Sequence, residues 1–113
     1  MTPLLPVGVR IFVASGYSDL RKSFDGLADL AREKVRQDPL SGNLFVFTNR
    51  RRNRTKVLFW DRTGWALWYK RLEGGLFRFP ESEGGVVEVD GTQLRMLLDG
   101  IPLGVRLPAR RRA

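Results

Sequence analysis

From Asn43 to Pro80 the chain alternates apolar, aromatic-rich runs with links too short to hold a helix, and this stretch constrains the fold most. The runs are Asn43–Asn49, Thr55–Asp61, Trp65–Glu73 and Leu76–Pro80. Between them lie a basic loop, the turn Arg62-Thr63-Gly64 and the pair Gly74-Gly75. Short links of this kind join antiparallel neighbours, so the stretch predicts a β-meander. The first run is apolar at successive positions, as expected for a central strand covered on both faces. In the last run, Leu76 and Arg78 fall on one face and Phe77 and Phe79 on the other.

Helical signals flank the meander. Val7–Ala14 reads as a strand and Ser15–Asp19 as a turn, with Ser18 or Asp19 the expected N-cap of a helix. From Leu20 to about Gln37, Leu20, Phe24, Leu27, Ala31 and Val35 recur at spacings of three and four, forming one helical face. Arg21 and Asp25 on the other face make an attractive i,i+4 pair. Gly26, inside the helix, is either a site of close approach or a tolerated weak spot. Asp38-Pro39-Leu40-Ser41-Gly42 ends the helix. Val86–Val89 reads as a short strand, and Asp90 with Gln93 resembles a capping box for a second helix over Gly91–Asp99. Leu94, Leu97, Leu98 and Ile101 form its apolar stripe, and Gly100 stands at its C-terminal cap. The expected fold class is α+β: a single domain over residues 1–105, with an antiparallel sheet of about five to six strands and two helices packed on it. Residues 106–113 read as a basic, disordered arm.

The chain has 113 residues and neither histidine nor cysteine, which excludes Cys/His zinc sites, His-dependent nucleophilic catalysis and disulfides. No secretory leader or membrane span is evident, so a cytoplasmic, nucleoid-associated location is expected. The formal net charge of +8 is unevenly placed. Residues 43–80 carry nine basic and two acidic residues, residues 81–105 one basic and five acidic, and residues 106–113 four arginines. A concentrated excess of this kind points to an anionic partner, with nucleic acid the first candidate.

Arg50, Arg51, Arg52, Arg54 and Lys56 crowd seven residues at the expected tip of a two-stranded ribbon. Such a ribbon fits the major groove, and each phosphate it neutralises releases counterions. A merely solvated turn usually mixes signs, whereas no acid stands between Arg50 and Lys56. Arg110, Arg111 and Arg112 could add nonspecific phosphate affinity. The aromatics Phe59, Trp60, Trp65, Trp68, Tyr69, Phe77 and Phe79 interleave with cations and could stack unpaired bases, but core and cross-strand packing is the better account of them. Gly42–Phe47 is similar to the RNP1 box of RNA-recognition domains only in part, lacking the basic residue before the glycine and the aromatic after it. Asp19, Asp25 and Asp61 are conceivable Mg²⁺ ligands of a nuclease, yet Asp19 has a capping role, Asp25 a partner in Arg21, and Asp61 opens a turn. No phosphate-binding glycine motif occurs. No cofactor or resident metal is expected.

Several motifs, in order, resemble one family. Gly16–Leu27 is similar to G-x-[TS]-D-[ML]-R-K-x-F-D-G-L, and Asp38–Phe47 to D-P-x-S-G-x-L-F-V-F. Lys56–Asp61, Gly64, Tyr69–Glu73, Phe77 and Pro80 continue the pattern. Together they resemble the Orf2-like (TnpB) accessory proteins of the IS-sixty-six family of bacterial insertion sequences, from about Val7 to Ile101. The resemblance implies a non-catalytic part in transposition beside TnpA and the TnpC transposase; taken with the basic block of residues 43–80, it makes DNA, the element ends first, the further expected partner. It marks Asp19, Arg21, Lys22, Phe24, Asp25, Trp60, Asp61, Lys70 and Arg71 as signature positions without roles. Relatives often place glycine in the loop between the second and third strands, as in R-G-R-R-G. Here that loop has none, so Asn49 or Asn53 is expected to take the left-handed conformation. Two readings follow: direct DNA binding through the hairpin tip, or an adaptor that docks TnpC or TnpA. A metal-dependent nuclease is the third and least supported.

Overall fold

The apolar runs of the sequence separate onto the two faces of one sheet. The computed structural model describes residues 8–103. Its strands are β1 (Ile11–Tyr17), β2 (Leu44–Thr48), β3 (Arg54–Trp60), β4 (Trp65–Arg71) and β5 (Val86–Val89). Two α-helices, α1 (Phe24–Leu30) and α2 (Gly91–Leu98), complete the α+β architecture. The strand order is β4-β3-β2-β1-β5. β2 lies at its centre with all five residues buried, as its unbroken apolar run predicts. The antiparallel expectation holds for β2–β3, β3–β4 and β1–β5, but β1 and β2 are parallel. The reason is the connection: α1 lies between them, and a helical crossover returns the chain in the same direction.

Alternation sorts the core. Ile11, Val13, Leu44, Val46 and Val57 face α2 and pack with Leu94, Leu97 and Leu98. Phe12, Ala14, Phe45, Phe47 and Leu58 face α1 and pack with Leu27, Ala28, Ala31 and Val35. The expected strand Leu76–Pro80 does not form. Phe77 and Phe79 are buried and Leu76 and Arg78 exposed, as alternation requires, but the segment lies over the α2 face and does not extend the sheet. Ile101, assigned to the α2 stripe, is exposed.

Element boundaries shift where local hydrogen bonds win. β1 begins later than expected and takes in the first three residues read as a turn, ending at Tyr17. α1 begins at Phe24 after Ser23, not at Ser18 or Asp19, because both are engaged elsewhere. A π-helical turn, Ala31–Val35, continues α1 and ends at Arg36 in the left-handed region. The apolar face is therefore narrower than predicted: Leu20 is half-buried and Phe24 exposed. At α2 the capping box forms as read, Gln93 N–H donating to Asp90 Oδ1 at 2.8 Å and Asp90 N–H to Gln93 Oε1 at 2.9 Å. Gly100 follows with φ +79°.

Candidate nucleic-acid interface

The β2–β3 loop is built by two asparagines. Asn49 Oδ1 accepts from the N–H groups of Asn53 (3.1 Å) and Arg54 (3.0 Å), and its Nδ2 donates to Asn53 Oδ1 at 2.8 Å. This ladder closes the loop without glycine. Neither asparagine takes the left-handed conformation expected of one of them. Arg52 does, with φ +62°, because both asparagines are held in the ladder. The turn therefore rotates Arg52 away from its neighbours.

Arg50, Arg51 and Arg54 border an open groove of about 520 Å³, which the segment Tyr17-Ser18-Asp19-Leu20-Arg21 and Tyr69 also line. The 17–21 wall follows the end of β1 and is pinned at three points. Ser18 N–H donates to the Thr48 carbonyl at 2.8 Å. Lys34 Nζ donates to the Tyr17 carbonyl at 3.1 Å and lies 3.4 Å from Ser18 Oγ. Lys56 Nζ donates to the Lys22 carbonyl at 2.9 Å. Partial burial lowers the Lys34 pKa below the ordinary lysine range.

Charge in the groove is lopsided. Asp19 is the one acidic side chain on its walls, and Arg21 grips it in two bonds of 2.9 and 2.8 Å. These bonds, with the Arg21 backbone N–H, hold the Asp19 carboxyl far below its usual range. Arg50, Arg51 and Arg54 have no acidic partner among the ion pairs of the described residues. Arg50 stacks over the Tyr17 ring at 5.4 Å, and Arg54 donates to the Tyr69 hydroxyl at 3.0 Å.

The expected binding residues thus divide. Arg50, Arg51 and Arg54 meet at the groove. Lys56 sits beside it, over the Tyr69 ring at 5.2 Å. Arg52 leaves it: its carbonyl accepts from Phe77 N–H at 2.7 Å, and its guanidinium lies 3.9 Å from Glu81 in a second hollow that shares Tyr17 with the groove. Arg110, Arg111 and Arg112 lie outside the described residues, as does the arm boundary.

The signature positions divide in the same way. Asp19 and Arg21 form the groove wall. Lys22 lays its stem across Gly26, where an added Cβ would come within 2.9 Å of Lys22 Cβ, so that glycine marks a close approach. Arg21 pairs with Asp19 and not with Asp25, which is exposed in the first turn of α1. Phe24 is exposed beside it. At the far end of β3, Trp60 meets Trp65 edge-to-face at 5.1 Å. Asp61 there accepts from the Thr63 and Gly64 N–H groups, which lower its pKa, Thr63 most. Lys70 is structural: its ammonium donates to the Leu98 carbonyl at 2.7 Å, at the C-terminus of α2. Arg71 bonds Glu73 at 2.8 Å.

Asp19 and Asp61 therefore stand at opposite ends of β3, roughly 20 Å of strand apart. The described residues hold no group of three acidic side chains able to bind a metal. Among the aromatics offered for stacking, only Tyr69 is largely exposed; Phe77 and Phe79 are core. Sequence reasoning missed Tyr17, placed in a turn, and the bracing role of Asn49 and Asn53. The repeated asparagine at i,i+4 around the arginines was the available signal for the latter.

A family profile described as "IS66 Orf2 like protein" matches residues 9–106. An uncharacterized protein of Sinorhizobium fredii, y4hO, is 42% identical over 100 residues, covering 87% of each chain. A second from the same organism, y4jC, is 34% identical over 94 residues, covering 83% of this chain and 80% of its own. No solved structure matches. No helix among the described residues is long and apolar enough to cross a membrane.

Proposed function

The chain belongs to the family of IS66 Orf2 like proteins, and from that premise we propose that it serves transposition as a non-catalytic accessory that grips DNA through the groove between the β2–β3 tip and the 17–21 wall. One observation carries this reading. Three arginines without acidic partners converge with the signature segment on one surface. Phosphate oxygens fit such a site, since guanidinium forks match them and each contact releases counterions. Arg21, held on Asp19, braces the wall. In this reading strand chemistry belongs to the TnpC transposase, and the element ends are the DNA engaged.

A salt-titrated binding assay on element-end and scrambled duplexes, with and without TnpC, tests it. Binding that weakens steeply with salt supports the reading, and salt-independent or absent binding to element-end DNA rejects it. A second reading, docking on TnpC or TnpA, draws on Phe24, a signature aromatic left 41% exposed. It requires co-purification that survives nuclease treatment and is lost in Phe24→Ala.

A further inference from the structure

We propose that the groove takes unpaired nucleotides, stacking their bases on Tyr17 and Tyr69. This rests on the reading above that the groove binds DNA, and it specifies the form of DNA. Tyr17 is 58% and Tyr69 50% exposed, although both are aromatic residues on sheet strands. The other strand aromatics are buried or half-buried, so these two are the exceptions among the described residues. Both rings line the same groove.

Each ring is held by cations. Arg50 covers one at 5.4 Å; Lys56 covers the other at 5.2 Å, and Arg54 bonds its hydroxyl. Each ring is held against a cation yet keeps half or more of its surface open to solvent, so a base can stack on it, while the same cations stand where the phosphates must pass. Tyr17 is on β1 and Tyr69 on β4, three strand spacings apart, or about 14 Å between backbones. Bases stacked in a duplex rise only about 3.4 Å per step, and they present edges, not faces, to a protein. A duplex therefore cannot occupy the two platforms, whereas a splayed single strand can. The Asn49 amide and the Ser18 hydroxyl are already engaged within the protein. Recognition then rests on stacking and charge, which are sequence-tolerant. In a transposition accessory, the fitting substrate is a frayed or overhanging DNA end.

Fluorescence anisotropy of the full chain on three labelled probes tests this: a blunt duplex, the same duplex with a single-stranded overhang, and oligothymidylate. The overhang should bind more tightly than the blunt duplex. Tyr17→Ala and Tyr69→Ala should each weaken binding to overhang and oligothymidylate, roughly five- to 150-fold per base unstacked, and weaken blunt-duplex binding by a smaller factor, since each ring also steadies a groove cation. Tyr17→Phe and Tyr69→Phe should retain stacking. Both rings are half exposed, so thermal melting should show all four variants folded. An overhang that adds no affinity, or alanine variants that weaken blunt and overhanging DNA alike, overturns the inference while leaving the duplex reading intact. Failure to bind any of the three probes overturns both.

Discussion

Replacing Arg50, Arg51 and Arg54 together by alanine separates the groove from the mere abundance of arginine in the loop. Each phosphate neutralised on a duplex contributes about 0.9 to the slope of log affinity against log salt. Three groove arginines without acidic partners, each meeting one phosphate, therefore account for a slope of about 2.7, or an affinity loss of roughly 40-fold between 50 and 200 mM salt. The triple variant should lose that much of the salt dependence. Arg52→Ala is the control, since Arg52 is turned to Glu81 at 3.9 Å and lies outside the groove. It should leave the slope unchanged although it removes the same charge from the same loop. Anisotropy titrations of a labelled duplex at several salt concentrations give both slopes. Equal slope losses per arginine for Arg52→Ala and the triple variant would refute the geometric argument and leave a diffuse electrostatic attraction.

Three further outcomes test the scaffold. Arg52→Gly should stabilise the fold by up to about 1 kcal/mol in chemical denaturation, because φ +62° strains a side chain with a Cβ but not glycine. Gly26→Ala should destabilise by about 1 kcal/mol, since crowding against the Lys22 stem at 2.9 Å outweighs the gain in helix propensity. Thermal stability should be level from about pH 5 to 8, where a chain without histidine has no side chain expected to titrate, and should decline below about pH 4. Glu88, lowered by its bond from Arg10, Asp61 and Asp19 all have depressed folded values. Their contribution is thus present above the unfolded carboxylate range and lost as pH falls through the folded one. A melting temperature that falls between pH 5 and 8 contradicts this.

What the sequence revealed and what it concealed follow from the range of the interactions involved. Period-two alternation is local, so the faces of Phe77 and Phe79, the centrality of β2 and the capping box of α2 were legible. Strand pairing is not local. Nothing in Leu76–Pro80 tells whether an alternating segment finds a sheet edge or lies over a sheet face, and here Phe77 N–H bonds the Arg52 carbonyl across the loop. The same bond explains the candidate site. The linear cluster Arg50 to Lys56 looked like one patch because sequence lists neighbours without direction. Once Asn49 and Asn53 close the loop, the left-handed turn falls on Arg52, and the carbonyl bond ties that residue to the opposite side. Three of its neighbours are left facing Tyr17 and Asp19, whose proximity depends on a parallel crossover that local pattern did not reveal. Charge count identified the loop; chain direction at one residue decides which of its arginines can act together.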